Sequence, residues 1–98
     1  KGIYLQTVTG ADARAIYEGE VTWCAPMNGN YAVIVQHGNY RSVYSPLKKI
    51  YVKQGDKLTA KQAIGEIYTN TSEDNKTELY FQIYKDRSIL NPGLWLAQ

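Results

Sequence analysis

The sequence predicts a small all-β domain, built either as a β-sandwich or as a partly open barrel. Three observations support this class: β-forming stretches dominate, turn signals recur about every eight to twelve residues, and no segment keeps a helical period over roughly ten positions. The 98 residues are enough for one domain with a modest core. We therefore expect one domain over residues 1–98, and its start in a strand-like pattern suggests a piece of a longer protein.

The first half of the chain predicts strands separated by short turns. β-forming residues place the first strand at residues 2–8, and residues 9–25 indicate a turn, a strand, a turn at Glu18 and Gly19, and another strand. Residues 31–36 and 41–47 flank the turn signal at 37–40, which predicts a hairpin. We expect Pro46 to end the second strand of this hairpin or to place it at a sheet edge, because proline cannot donate a ladder hydrogen bond.

The second half predicts a tight turn, a polar loop and one long strand. Gly55 and Asp56 mark the turn, and residues 69–77 form the loop. The long strand follows at residues 78–86. Close to the end of the chain, an apolar group is expected to plug one end of the core: Leu94, Trp95 and Leu96.

The long strand alternates between apolar and polar residues, as a half-buried strand does. Leu79, Phe81 and Ile83 are predicted to face the core. The opposite face then carries Glu78, Tyr80, Gln82 and Tyr84. Tyrosine has an apolar ring and a polar tip, so this outward face is suited to binding as well as to solvent.

Composition excludes several classes of protein. The net charge of +2 is too small to indicate nucleic-acid binding, and no apolar run reaches transmembrane length. A cluster of lysines is interpreted as solvated loop charge: Lys48, Lys49, Lys53, Lys57 and Lys61. Cys24 is the only cysteine, so it has no cysteine partner for a disulfide or a metal, and we expect a small buried hydrophobe in a strand.

The residues themselves show no catalytic centre. His37 is the only histidine and stands beside Gly38 and Asn39, which favours a structural role at the turn. No serine nucleophile motif or phosphate loop is present. The acid pairs Glu18/Glu20 and Glu73/Asp74 lie in predicted turns and loops, where solvated carboxylates are the ordinary interpretation. We expect no catalytic residue, no metal and no cofactor.

Five blocks in order carry a family resemblance: "KGIYL", "GADARAIYEGEV", "NYAVIVQHGNYRSVYSPL", "VKQGDKLTAKQAIGEIY" and "LYFQIYKDRSILNPGLWL". Together they resemble the LytM, or lysostaphin-type, zinc metallopeptidase domain of peptidase family M23. The resemblance implies the duplicated-hybrid-motif-like β fold of that family. It also implies a groove in which active members hold zinc and cut peptide crosslinks of the bacterial cell wall.

The family's functional positions are occupied here by other residues. In "KGIYL" the aspartate ligand falls on Tyr4, and its companion histidine would precede Lys1. The assisting histidine falls on Pro46, and the two histidines of the late H-x-H motif fall on Glu78 and Tyr80. Proline offers no ligand atom and tyrosine is a poor zinc ligand at neutral pH, so the sequence predicts a degenerate metal site.

Among such domains, the chain resembles in particular the degenerate LytM domains of EnvC-type murein hydrolase activators. The resemblance implies a domain that binds a zinc-dependent N-acetylmuramoyl-L-alanine amidase, draws an autoinhibitory helix off its active site and so regulates peptidoglycan hydrolysis in cell separation. It implies the C-terminal domain of a longer protein in the periplasm of the bacterial envelope. The partner-binding groove implied by it contains Arg14, Tyr31, Tyr80 and Tyr84, with Tyr4 packing its floor.

Two alternatives remain open at the level of sequence. Tyrosine-rich grooves also stack on sugars, so the domain is alternatively a peptidoglycan-binding module without a protein partner. A second alternative is a residual zinc peptidoglycan endopeptidase with unusual ligands, among them the histidine that would precede Lys1.

Overall fold

A computed structural model describes residues 2–85 and the strand residues 88–90. The predicted plug of Leu94, Trp95 and Leu96 lies outside these residues. The described part of the chain contains ten strands, namely β1 (Ile3–Thr7), β2 (Asp12–Arg14), β3 (Gly19–Met27), β4 (Asn30–His37), β5 (Tyr40–Ile50), β6 (Lys57–Leu58), β7 (Ala63–Ile67), β8 (Thr69–Asn70), β9 (Lys76–Lys85) and β10 (Ser88–Leu90). A 3₁₀ turn, Thr71–Glu73, joins β8 to β9. The all-β class is thereby confirmed.

The strands form one antiparallel sheet that folds over a single core. Its main path runs β1-β9-β5-β4-β3-β6, while β7 pairs with β5 and β2, and both β8 and β10 pair with β9. Ala13 and Ile64 of the β2–β7 pair pack in the same buried cluster as Val33, Val35 and Phe81 of the main path. The sheet thus closes partly on itself, as expected for a partly open barrel.

The long strand β9 has the predicted two faces. Leu79, Phe81 and Ile83 are buried, with at most 7% of their surface exposed, whereas the residues between them are half-buried. Burying a side chain of this size contributes about 1.5–3 kcal/mol to stability. The alternation therefore fixes which side of β9 faces outward.

The expectation for Pro46 was wrong. β5 continues through Pro46 to Ile50 and is a central strand, paired with β4, β7 and β9. The partners of β5 change at this position: Ser45 is the last residue opposite β9, and Leu47 is the first opposite β7. The missing N–H of proline falls at this change of partner, so the strand tolerates it, and the Pro46 carbonyl still accepts a hydrogen bond from the Tyr68 N–H at 3.1 Å.

The predicted turns at Gly38 and Gly55 are confirmed, and one hairpin was missed. The turn predicted at Glu18 and Gly19 was misplaced, because the chain bends at residues 16–18 and Gly19 already begins β3. Gly38 and Gly55 have positive φ angles of 63° and 97°, which glycine adopts without steric cost. A further two-residue turn joins β3 to β4 at Asn28 and Gly29, with φ angles of 52° and 83°. Asn-Gly is the preferred dipeptide for such a hairpin, so the sequence did contain this signal.

His37 has a structural role that extends from the turn into the core. Its Nδ1 lies 2.8 Å from the Glu18 carbonyl oxygen, which can only accept, and its Nε2 lies 2.7 Å from Ser42 Oγ. Ser42 Oγ lies 2.8 Å from Tyr44 Oη, which accepts a hydrogen bond from the Ile16 N–H at 3.2 Å. This chain of hydrogen bonds ties the connection between β2 and β3 to the β4–β5 hairpin.

Burial acts on the ionisation of two members of this network. Desolvation lowers the pKa of His37, and its hydrogen bond to the Glu18 carbonyl opposes that shift. Desolvation raises the pKa of Tyr44. Both shifts favour the neutral form of the side chain. Cys24, in β3, is half-buried and packs against the same core.

Candidate functional site

The outer face of β9, formed by Glu78, Tyr80, Gln82 and Tyr84, continues onto the neighbouring strands. Its residues lie opposite those of β1 on one side, where Tyr4 pairs with Tyr80. On the other side they lie opposite β5, with Ser45, Val43 and Arg41 as partners. Residues directly opposite in antiparallel strands point to the same face of a sheet. The outward residues of three strands therefore form one continuous surface.

Two stacked tyrosines lie near one end of this surface. The rings of Tyr4 and Tyr80 have centroids 4.6 Å apart and an interplanar angle of 29°. The Tyr80 hydroxyl accepts a hydrogen bond from the Gly2 N–H at 3.1 Å, whereas 66% of the Tyr4 surface is exposed. Tyr80 is thus held from two directions, and it supports a tyrosine ring that is open to a partner.

Beside the stack lies a pocket of about 230 Å³, which we call the tyrosine–glutamate pocket. The Lys76 ammonium lies 3.7 Å from a Glu78 carboxylate oxygen, and the Asn70 amide donates to the Glu73 carboxylate at 2.8 Å. Two carboxylates and one ammonium therefore share a small space with aromatic rings. The lining residues are Tyr4, Pro46, Tyr68, Asn70, Glu73, Lys76 and Glu78.

A second pocket, of about 250 Å³, opens on the same face further along β9. We call it the apolar pocket, because Ile34 and Val43 lie side by side in it as cross-strand partners. Gln82 donates a hydrogen bond to the Tyr84 hydroxyl at 2.9 Å, and Arg41 completes the lining. The two pockets together make the outer face of β9 a shallow groove with different chemistry at its two ends.

The degenerate ligand positions come together in space. Tyr4, Pro46 and Glu78 line the tyrosine–glutamate pocket, and Tyr80 stacks on Tyr4 at its side. Of the predicted groove residues, Tyr4, Tyr80 and Tyr84 lie on the outer face.

The structure does not bring the other two predicted groove residues to this face. Arg14 lines a separate pocket with Leu5 and Tyr44, and its guanidinium donates to the Lys61 carbonyl at 3.0 Å. Tyr31 is half-buried and packs against the core. The resemblance placed these two residues by alignment with a family pattern, and alignment carries no information about which face of a strand points outward here.

The residues of this pocket do not fit the zinc ion that the family implies. Only Glu78 offers a ligand of the usual kind among the four degenerate positions, and its carboxylate is already near Lys76. The Tyr80 hydroxyl is engaged by Gly2. Within residues 2–85 and 88–90, no three His, Cys, Asp or Glu side chains come together in a way that could hold a metal. The chemistry available here is stacking, hydrogen bonding and ion pairing.

Part of the tyrosine–glutamate pocket was not predicted from the sequence. The missed residues lie in the predicted polar loop or at its edges, namely Tyr68, Asn70, Glu73 and Lys76. β8 pairs with β9 and brings that segment beside Glu78. The available signal was proximity in sequence to the outward-facing strand.

A larger depression, of about 560 Å³, lies elsewhere at the β3–β6 edge, beside Glu18, Glu20 and His37. Its histidine is committed through both ring nitrogens to the structural network. We therefore place the candidate site on the outer face of β9.

Comparison with known proteins gives a consistent picture. The profile of peptidase family M23 matches residues 1–92. Murein hydrolase activator EnvC of Escherichia coli (strain K12) is 27% identical over 100 residues, covering 100% of this chain and 24% of EnvC. Stage II sporulation protein Q of Bacillus subtilis (strain 168) is 41% identical over 64 residues, covering 63% of this chain and 23% of that protein.

Solved structures share the fold. A chain in the crystal structure of the SpoIIIAH and SpoIIQ complex is 33% identical with a TM-score of 0.73, covering 86% of this chain and 61% of that chain. The NMR solution structure of lysostaphin gives a TM-score of 0.86 at 24% identity, covering 98% of this chain and 42% of lysostaphin, which shows the fold alone. This chain spans between 16% and 24% of the length of the curated relatives it matches. In the described residues, no helix has the length and apolar character needed to cross a membrane.

Proposed function

The chain belongs to peptidase family M23, and from this premise we propose that it is a catalytically inactive LytM-like domain that activates a cell-wall amidase. Its partner is a zinc-dependent N-acetylmuramoyl-L-alanine amidase, bound by protein–protein contact. The binding regulates peptidoglycan hydrolysis in cell separation. The domain acts in the periplasm, as the C-terminal domain of a longer protein.

The observation that carries this proposal is the replacement of a metal site by a binding surface. The family resemblance assigns zinc-site positions to Tyr4 and Tyr80 and the assisting-histidine position to Pro46. In the structure the two tyrosines stack, and Tyr4 and Pro46 line the same pocket. An exposed tyrosine with a rigid support supplies flat apolar area at low entropic cost, which is typical of energetically important residues at interfaces.

Two relatives support a binding role over a catalytic one. One is named a murein hydrolase activator, and the chain aligns with it along its whole length. The other, SpoIIQ, forms a complex with SpoIIIAH, another protein. Domains of this fold therefore occur in proteins that bind other proteins, which supports a binding role for this chain.

Activation follows from differential binding. An amidase whose active site is covered by its own helix exchanges with an open form, and a domain that binds the open form more tightly shifts the population toward it. The difference in affinity for the two forms limits this shift. Raising the open form from 1% to 99% of the amidase molecules requires about 10⁴-fold tighter binding to the open form than to the closed form. In this proposal Tyr80, Tyr4 and Tyr84 supply the contact surface.

Binding to purified amidases tests the proposal directly. Each amidase of the source organism is titrated with the chain by calorimetry, and saturable binding by at least one amidase is the expected result. The matched control is the Tyr80→Ala variant, which retains the β9 backbone but lacks the stack. The absence of binding by every amidase would overturn the proposal.

One observation favours a second candidate, a peptidoglycan-binding module. The exposed Tyr4 ring and the polar groups around it resemble the surfaces on which sugars stack. Cosedimentation with purified sacculi in the absence of any amidase separates the two candidates. A residual zinc peptidoglycan endopeptidase would instead release wall fragments by itself.

A further inference from the structure

The hydrogen bonds that link His37 to Tyr44 can run in only one direction while the imidazole is neutral. The Glu18 carbonyl oxygen can only accept, so His37 Nδ1, 2.8 Å away, carries the single ring proton. His37 Nε2 is then an acceptor, and the Ser42 hydroxyl donates to it at 2.7 Å. Because that hydroxyl has no second proton, Ser42 Oγ accepts from the Tyr44 hydroxyl, 2.8 Å away. Tyr44 Oη in turn accepts the Ile16 N–H at 3.2 Å, so each group has its partner.

Protonation of His37 reverses these hydrogen bonds. Both ring nitrogens of the imidazolium donate, so Ser42 Oγ accepts from Nε2 and turns its own proton toward Tyr44. Tyr44 Oη then receives two hydrogen bonds, from Ser42 and from the Ile16 N–H, and these are its only hydrogen-bond contacts in the described part of the chain. The proton of the Tyr44 hydroxyl itself is left without an acceptor.

Burial makes that unpaired hydroxyl costly. Ser42 and Tyr44 are exposed over at most 1% of their surface, so solvent does not replace the missing partner. The contact between Tyr44 Oη and the Ile16 N–H is the longest of the four in the network. Ile16 is half-buried, and together with Tyr44 it lines a pocket of about 350 Å³ beside β2. If this contact opens, solvent entering the pocket can pair with both the N–H and the hydroxyl.

The N–H that would be released belongs to the connection between β2 and β3, residues 15–18. The network fastens this connection at two points, the Ile16 N–H through the Tyr44 hydroxyl and the Glu18 carbonyl through the imidazole. Directly before the connection, the exposed Arg14 ends β2 and lines the same pocket as Ile16. A change at Ile16 therefore reaches this pocket and not the outer face of β9.

Charged and titratable groups surround the imidazole on several sides. They are exposed carboxylates and an exposed ammonium at the sheet edge, together with tyrosines of the connection and of β5, namely Glu18, Glu20, Lys57, Tyr17, Tyr40 and Tyr44. Solvent screens the exposed charges, whereas burial acts on the imidazole directly and lowers the pKa of His37. The neutral arrangement is therefore the resting one at neutral pH, and acidification is needed to reverse it.

We propose that His37 is a pH-sensitive switch: its protonation reverses both hydroxyl hydrogen bonds and detaches the Ile16 N–H from Tyr44, which loosens the connection between β2 and β3. The sheet itself remains, because the backbone pairing of β4 with β5 does not depend on these side chains. The switch does not require the amidase partner of the proposed function. It differs from a general loss of stability, because one backbone segment responds before the rest.

Nuclear magnetic resonance of the ¹⁵N-labelled chain tests this switch in one pH series. The ring nitrogens of His37 report its protonation. Hydrogen exchange, corrected for the intrinsic pH dependence of the exchange rate, reports the protection of the Ile16 amide. The Tyr51 amide, which donates to the Ile64 carbonyl at 2.8 Å, is the internal control for overall stability.

The ring proton of His37 should be on Nδ1 at pH 8. As the pH falls to one unit below the measured His37 pKa, the protection of Ile16 should drop about tenfold or more, while that of Tyr51 stays within about twofold. The midpoint of the change at Ile16 should coincide with the titration of the imidazole.

Two variants separate the switch from a merely structural role of the network. Ser42→Ala cuts the link between His37 and Tyr44, so the protection of Ile16 should no longer follow the titration even though the imidazole still titrates. His37→Gln cannot take up a proton and should keep that protection constant over the series. The second variant keeps the test decisive if Ser42→Ala does not fold.

Any of four results would overturn the proposal: a ring proton on Nε2 at pH 8, a His37 ring that stays neutral until the whole chain unfolds, Ile16 protection that does not change through the titration, or equal loss of protection at Ile16 and Tyr51. Failure of the proposed function would appear instead as the absence of amidase binding, which none of these measurements uses. The two failures are therefore distinguishable.

Discussion

The Tyr4 and Tyr80 rings stack at 4.6 Å between centroids, directly across the β1–β9 ladder, and the Tyr80 hydroxyl accepts the Gly2 N–H. Tyr80 is thus anchored at both its ring and its hydroxyl. Tyr4 is exposed over 66% of its surface. This arrangement combines a rigid support with an available ring, and it is the basis of the binding account.

Replacing Tyr80 by Ala should weaken amidase binding without unfolding the domain. The loss of the stack and of the support for Tyr4 is expected to cost roughly 2 kcal/mol or more of binding free energy, about 30-fold in affinity. Tyr80→Phe keeps the ring and should retain most of the affinity. A collapsed thermal transition in Tyr80→Ala would instead identify Tyr80 as a structural residue.

Removing the Ser42 hydroxyl should destabilise the fold. Ser42 is fully buried between His37 Nε2 and Tyr44 Oη, so Ser42→Ala removes this partner from the buried Tyr44 hydroxyl and from the part-buried His37 ring. The expected cost is about 1–3 kcal/mol in the free energy of unfolding, measured by denaturant titration. A double-mutant cycle with Tyr44→Phe should show coupling of about 0.5 kcal/mol or more, and strict additivity would contradict the network.

Acidification should reduce stability through His37. Burial lowers its pKa in the folded state, so the unfolded chain takes up a proton first as the pH falls. The stability that neutral His37 contributes is fully present above its ordinary pKa of about 6.5. It is lost as the pH falls from that value through the lowered pKa of the folded state. Melting temperatures between pH 8 and pH 5 check this. His37→Gln should have a lower melting temperature at pH 8, but its melting temperature should change less between pH 8 and pH 5. A parallel decline in both proteins would contradict the role of His37 in the pH dependence.

The purified chain should not retain zinc in stoichiometric amount. Glu78 is the only ligand of the usual kind among the four degenerate positions, and it lies 3.7 Å from Lys76. Chelator-free purification followed by elemental analysis is the measurement, with an active lysostaphin-type domain prepared in parallel as the control. One zinc per chain would revive the residual endopeptidase.

The sequence predicted those features that depend on local pattern. Alternation in β9 was sufficient to separate Phe81 from Tyr80, because a side-chain period of two leaves only one consistent assignment of faces. The expectation for Pro46 failed because a local rule was applied to a strand whose partners change at that residue. Which strands pair is a non-local property, and no pattern near Pro46 contains it.

The candidate site was only partly predictable for the same reason. Tyr4 and Tyr80 were expected near each other from the family pattern, and the structure places them in contact. Arg14 was assigned to the groove by the same pattern, yet β2 pairs with β7 and carries it to another pocket. The partners of His37 were also missed, since Ser42 and Tyr44 reach it only through the register of the β4–β5 hairpin.

In the proposed function, this domain activates an amidase and is not itself a hydrolase. Dye release from labelled sacculi tests it most directly, by comparing the chain alone, a cell-wall amidase of the source organism alone, and the two together. The account predicts release well above background only from the mixture, and loss of that release with Tyr80→Ala. Release by the chain alone, or a mixture that matches the amidase alone while an active hydrolase scores in the same assay, would contradict it.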